Sequence, residues 1–193
     1  MNVLTMAKRL IKGGYKMSTL YFDMDGTLAN FYGVENWLDY LQKGDVYPYE
    51  NAKTLIHFST LARLLNQIQK KGYKLGICSW LSKNSTIEYE IAVTYTKLKW
   101  LEKHLPSVSF DEIKIIKYGT PKHKACCDYG FLFDDEEKNR KEWELSGKGI
   151  AFDEKNILKI LKLFLDKRKK RGYNGTYKSL IVAAWSGNPI TAT

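Results

Sequence analysis

Cysteine and histidine are scarce in this chain: three of each among 193 residues. The cysteines, Cys78, Cys126 and Cys127, are odd in number and form no C-x-x-C pair. Adjacent cysteines seldom bridge each other, so neither a disulfide framework nor a thiolate metal site is expected. Free thiols in a reducing, cytoplasmic compartment are expected. The histidines offer no ligand cluster. His57 falls on the border of a helical segment and reads as structural. His104 and His123 read as surface residues, although His123 stands beside Lys124. No apolar run approaches the length of a membrane span. The opening MNVLTMAKRLIKGGYKM has too short an apolar stretch for a signal peptide and no cleavage-like site. Met6 and Met17 could also serve as starts, and residues 1–16 read as an extension without an assigned role. Acidic charge is in deficit: 31 Lys and Arg against 21 Asp and Glu leave a formal charge of +10. A basic surface favours phosphate-bearing partners but says nothing about fold. There is no internal repeat and no low-complexity tract apart from KRKKR at Lys167 to Arg171.

What the chain does have is enough length for one domain with a sizeable core. Its 44% hydrophobic and 27% charged residues fit an ordinary globular protein. Thr19 to Asp23 (TLYFD) reads as a short buried strand ending in acid. Apolar residues at Leu55, Phe58, Leu61, Leu65 and Ile68 have helical spacing over Thr54 to Lys71, with Gly72 at the C-cap position. Lys74 to Ser79 (KLGICS) is a second strand that ends in a hydroxyl. Asn84 to His104 is a long helix with Ile91, Tyr95, Leu98, Leu101 and Leu105 on one face, stopped by Pro106. Ile113 to Ile116, Phe131 to Phe133 and Gly149 to Phe152 are further strands, and Asn156 to Lys167 a final helix. Strands alternating with helices predict an α/β fold, a Rossmann-like three-layer sandwich around a mostly parallel sheet. The aromatic stretch at 30–53 reads as a small cap inserted after the first strand. The domain proper is expected over 17–171, with a C-terminal extension at 172–193.

In such sheets ligands sit beyond the carboxyl ends of the strands. That accounts for YFDMDGTLANF at Tyr21 to Phe31, where two carboxylates close an apolar run. Asp23 and Asp25 end the first strand, Ser79 the second, and Asp134 and Asp135 the fourth. Three strand ends thus deliver four acids and a hydroxyl to one edge. An acidic turn ahead of Gly26 explains the first pair alone, but not the second.

DMDGTL at Asp23 to Leu28 resembles the first motif of the haloacid dehalogenase superfamily, the aspartate-nucleophile phosphohydrolases. Ser79 after KLGIC resembles its second motif, and FLFDDEEKN at Phe131 to Asn139 its fourth. The third motif is a lysine ahead of the late strand: Lys124 is the choice, with Lys122 and Lys117 as competitors. The resemblance covers Thr19 to Leu165. It implies that Asp23 attacks phosphorus to form an aspartyl-phosphate and that Asp25 is the general acid and then the base. It implies that Mg²⁺ is held by Asp23, the Asp25 carbonyl, and Asp134 with Asp135. All are hard oxygen donors. Gly26, Thr27, Ser79 and Lys124 would bind the phosphoryl oxygens.

DMDGTLANF, the short insert and FDDEEKNRKEW look like the 5′-nucleotidase and deoxyribonucleotidase branch, including phage-type relatives. The expected substrate is therefore a nucleoside monophosphate, with aromatics of the insert available to stack on a base. The competing reading is that Trp37, Leu38 and Leu41 only pack a small helix on the core. A small cap and a charge of +10 also suit a phosphatase for nucleic-acid ends. A third reading is a basic nucleic-acid-binding protein that uses KRKKR.

Overall fold

The β-branched and aromatic run TLYF becomes β1 (Thr19–Phe22), with all four residues buried. The structure, a computed structural model, describes residues 19–83 and 85–165. The expected extensions at 1–16 and 172–193, and the KRKKR run, lie outside the described residues. After β1 come β2 (Ala29–Asn30), α1 (Trp37–Gln42), α2 (Tyr47–Asn51), β3 (Lys53–Thr54), α3 (Phe58–Gln69) and β4 (Lys74–Trp80). Then follow α4 (Ile87–His104), β5 (Glu112–Ile116), α5 (Lys122–Ala125), β6 (Gly130–Phe133), α6 (Glu137–Leu145), β7 (Gly149–Phe152) and α7 (Ile157–Leu165).

Five strands form one parallel sheet in the order β5-β4-β1-β6-β7. β1 is central, pairing Tyr21 with Gly76 of β4 and with Leu132 of β6. The two-residue side-chain alternation of a strand splits the core. Leu20 and Phe22 face a large cluster with Leu61, Leu65 and Ile68 of α3 and Ile160, Leu161 and Phe164 of α7. Tyr21, Cys78 and Leu132 face the other way, against Trp143 of α6. Helices therefore cover both faces, and the fold is an α/β Rossmann-like three-layer sandwich. Gly76 has its place because a side chain there would run into the Tyr21 ring. Gly72 follows α3 in the left-handed region, at φ +86°, and its N–H donates to the Gln69 carbonyl.

β2 and β3 pair antiparallel, Ala29 with Thr54 and Asn30 with Lys53. This two-rung stem carries the insert with α1 and α2. Phe31 and Tyr49 pack from the insert onto Tyr89 and Val93 of α4 and onto Leu81.

Three helices depart from expectation. On α4 the face is rotated: Ile91 and Tyr95 are 65% and 62% exposed, whereas Tyr89, Val93, Thr96, Lys97, Trp100 and Leu101 are buried. The face is built around a lysine, which an apolar periodicity count scores as surface. The helix α6 was not expected at all. It buries only Asn139 and Trp143, too few apolar residues to print a helical pattern. The expected start of α3 at Thr54 also moves to Phe58, because Thr54 is taken into β3.

Trp143 is the hub of the second face. It is fully buried, meets the Tyr21 ring edge-on at 5.5 Å, and donates its Nε1–H to the Gly130 carbonyl at 3.2 Å. Trp143→Ala is expected to cost about 3–5 kcal/mol by cavity formation, read from the urea midpoint.

Candidate functional site

The site begins where β1 ends. The Asp23 N–H donates to the Phe133 carbonyl at 2.9 Å, continuing the ladder to β6. Its carboxylate accepts from the Met24 N–H at 2.8 Å. The chain then turns tightly, with the N–H groups of Thr27, Leu28 and Ala29 all aimed at the Met24 carbonyl. Gly26 makes the turn possible at φ +75°, and any side chain there would collide with the Asp135 carboxylate and the Tyr32 ring.

β6 lies beside β1, so its end delivers Asp134 and Asp135 to the same edge. Asp23, Asp134 and Asp135 each place a carboxylate oxygen within 4.8 Å of the others. Asp134 is wholly buried and tightly held. It accepts from the Glu136 N–H at 2.9 Å and from Asn139 Nδ2 at 3.2 Å. Arg140 Nη1 donates to the Asp134 and Asp135 carbonyls, both at 2.7 Å. Burial and the nearby Asp23 carboxylate push Asp134 up to about 6 and Asp135 up to about 7. The three carboxylates are hard oxygen donors, close enough together to hold a divalent cation.

One lysine reaches into the cluster, and it is Lys122. Its Nζ lies 3.1 Å from Asp23 and 2.6 Å from Asp134, and its side chain is 1% exposed. Burial alone would push the ammonium down, but Asp23 and Asp134 hold it above the ordinary lysine value. Lys124, the expected third-motif lysine, is exposed and makes no contact with these acids. The short helix α5 explains the difference. Residues two apart on a helix point to different sides, and its inward side is that of Lys122. Lys117, the other competitor, lies before α5 and is exposed as well.

Thr27 is tied to the acidic loop. It is fully buried; its hydroxyl accepts from the Asp135 N–H at 3.1 Å and donates to Asp135 Oδ1 at 3.2 Å. It latches the acidic loop to the β1 turn. Ser79, next to last in β4 on the other flank of β1, is buried. Its Oγ accepts from Lys97 Nζ at 2.9 Å. The same ammonium donates to Asp25 Oδ2 at 2.7 Å. Burial raises the Asp25 carboxyl, and Lys97 opposes that shift. Nothing in the sequence marks Lys97, eighteen residues from Ser79 on a helix face that is mainly aromatic and aliphatic.

Asp25 opens on a cavity of about 490 Å³ between the insert and the loops after β4 and β5. Tyr32, Trp37 and Tyr49 line it from the insert, and Trp80 and Tyr118 from the other side. Trp80 and Tyr118 lie 5.0 Å apart, ring to ring, and Trp80 Nε1 is pinned to the Thr120 carbonyl at 2.8 Å. Phe31 and Tyr49 of the insert do pack on the core. Trp37, 5.2 Å from Tyr32, packs against the same cluster, and both rings also line the cavity. Trp80 and Tyr118 were not singled out in the sequence, because single aromatics just past a strand carry no pattern. His104 is occupied structurally, packed against Trp100 at 4.5 Å.

No protein-family model matches the chain. No curated protein matches it either. Among solved structures it is similar to an uncharacterized protein from Corynebacterium glutamicum, with 14% identity over 77% of this chain and 96% of that one, at a TM-score of 0.43. Among the described residues no helix is long and apolar enough to cross a membrane.

The raised acids set a pH dependence. A carboxyl whose folded pKa exceeds its unfolded one binds more protons when folded. Its contribution to stability is therefore present at low pH and is lost as pH rises from about 4 toward 7. A bound cation would take the place of those protons. Mg²⁺ is expected to raise the melting temperature more at about pH 7.5 than at about pH 5.5, and Asp135→Asn to shrink the difference. Equal shifts at both pH values in thermal melts would separate the acidic cluster from cation binding.

Proposed function

We propose that this chain is a Mg²⁺-dependent phosphomonoester hydrolase of the haloacid dehalogenase type, acting on nucleoside 5′-monophosphates through an Asp23 phosphoenzyme. The observation that carries the reading is the convergence at the ends of β4, β1 and β6. Asp23, Asp134 and Asp135 each place a carboxylate oxygen within 4.8 Å of the others, Lys122 bridges Asp23 and Asp134, and Asp25 and Ser79 lie alongside. Bound Mg²⁺ would be held by Asp23, the Asp25 carbonyl and the Asp134–Asp135 pair, and would offset the repulsion between carboxylate and phosphate.

The side chains divide the chemistry. Asp23 forms a bond from its carboxylate oxygen to phosphorus as the ester P–O bond breaks. Asp25, whose carboxyl burial raises, gives its proton to the departing oxygen. The same carboxylate then takes a proton from water as that water attacks phosphorus. Phosphate leaves and Asp23 is restored. Lys122 and the Ser79 hydroxyl offset charge on the phosphoryl oxygens. The aromatic walls of the cavity, above all Trp80 and Tyr118, offer stacking faces to a base. The free cysteines Cys78, Cys126 and Cys127 support a reducing, cytoplasmic setting.

Phosphate release across nucleoside monophosphates, sugar phosphates and oligonucleotide ends, with and without added salt, tests this reading. Release is expected from mononucleotides, with Mg²⁺ required, and at least about 1,000-fold slower in Asp23→Asn. Preference for oligonucleotide ends that fades with salt would move the substrate to nucleic acid. Turnover retained in Asp23→Asn would remove the mechanism. In the same assay Lys122→Met is expected to lower kcat about 100-fold or more, whereas Lys124→Met stays near wild type.

A further inference from the structure

Lys97 is a charged residue in the wall of the core, on α4, with its side chain 1% exposed. Its Nζ donates to three acceptors: Asp25 Oδ2 at 2.7 Å, Ser79 Oγ at 2.9 Å and the Trp80 carbonyl at 2.7 Å. It also lies over the Tyr49 ring, 5.2 Å from its centre. A plain counter-ion for Asp25 would need only the first of these contacts. The other two tie the end of β4 to the end of β1 through one ammonium group.

We propose that Lys97 is a positioning residue of this site, one that sets the hydrogen-bond polarity of Ser79 and the orientation of Asp25. The proposal rests on the phosphohydrolase reading. An ammonium group has three protons and no acceptor, and all three are used here. Ser79 Oγ must therefore accept from Lys97, and its own proton has to point elsewhere. That proton meets no acceptor among the described residues, so it stands ready for an oxygen of an incoming phosphoryl group at the strand ends. With Oδ2 of Asp25 fixed by the same ammonium, Oδ1 is the oxygen left to handle the leaving-group proton. The Trp80 carbonyl bond makes the arrangement rigid, and it also links the site to the aromatic wall that Trp80 forms. Preorganised donors of this kind act on the transition state and cost no rearrangement during the reaction.

The test is a double-mutant cycle between position 97 and Ser79, read in kcat, in KM and in the binding of inorganic phosphate with Mg²⁺ by calorimetry. Lys97→Arg keeps the charge but not the three-way geometry. It is expected to fold, to lose about 100-fold in kcat, and to leave KM for a mononucleotide within about threefold, since the base contacts persist. Lys97→Met is expected to lose at least as much. In the Lys97→Arg background Ser79→Ala should cost little more, because its donor is already misdirected. If Lys97→Met fails to fold, Lys97→Arg carries the test alone. Wild-type kcat in Lys97→Arg, or effects of Lys97→Arg and Ser79→Ala that multiply, would reduce Lys97 to a counter-ion and overturn the inference while leaving the hydrolase reading intact. A wild-type protein that neither releases phosphate from any ester nor binds inorganic phosphate would overturn both.

Discussion

Repulsion among carboxylates is the constraint around which this molecule is arranged. Asp23, Asp25, Asp134 and Asp135 meet at the carboxyl ends of neighbouring strands, and most of their surface is out of water. Left alone, such a cluster would protonate or force the strands apart. Two lysines with side chains 1% exposed prevent that: Lys122 between Asp23 and Asp134, and Lys97 between Asp25 and Ser79. Each removes the charge conflict on one flank of β1. The remaining imbalance, expressed in the raised Asp134 and Asp135 carboxyls, is what a divalent cation would relieve.

The sheet is the frame that makes this crowding useful. β1 lies between β4 and β6, so acids and hydroxyl arrive from three directions at a fixed spacing. Around them the loops are latched by their own polar groups. Thr27 holds Asp135, Arg140 holds two carbonyls, and Asn139 holds Asp134. Little of this polar network is spare. On the proposed reading it fixes the nucleophile and its neighbours before a substrate arrives, in the manner of electrostatic preorganisation.

On the proposed reading, substrate choice falls to a different part of the molecule. The insert is small, tied to the core by the two-rung β2–β3 stem and by Phe31 and Tyr49 packing on α4. It closes one side of a cavity whose opposite wall comes from the loops after β4 and β5. The insert therefore supplies aromatic surface without enclosing the site. The basic character of the chain, +10 overall, adds attraction for any phosphorylated ligand but no selectivity among them.

The strand ends were legible from the sequence. TLYF, KLGICS, FLF and GIAF are short apolar runs bounded by polar or turn residues, and every one lies within a strand of the parallel sheet. Because ligand sites in such sheets lie at the carboxyl ends, Asp23, Asp25, Ser79, Asp134 and Asp135 could be placed together before any coordinates. The lysines could not. Lys124 and Lys122 are equivalent as letters, and only the direction of a four-residue helix puts one inside and the other in water. Lys97 was beyond reach for a related reason: a lysine on a mainly apolar helix face looks like surface until the acid that neutralises it is known. Thr27 shows the same limit, since a hydroxyl beside Gly26 suits a phosphate or a loop equally well. Periodicity and residue type therefore settled the strands, their order of chemistry and the acids at their tips, all of which depend on local pattern. Tertiary packing alone decided which cations pair with those acids, which aromatics face the cavity and which groups each buried hydroxyl meets. Those depend on groups far apart in the chain that meet only when the core has closed.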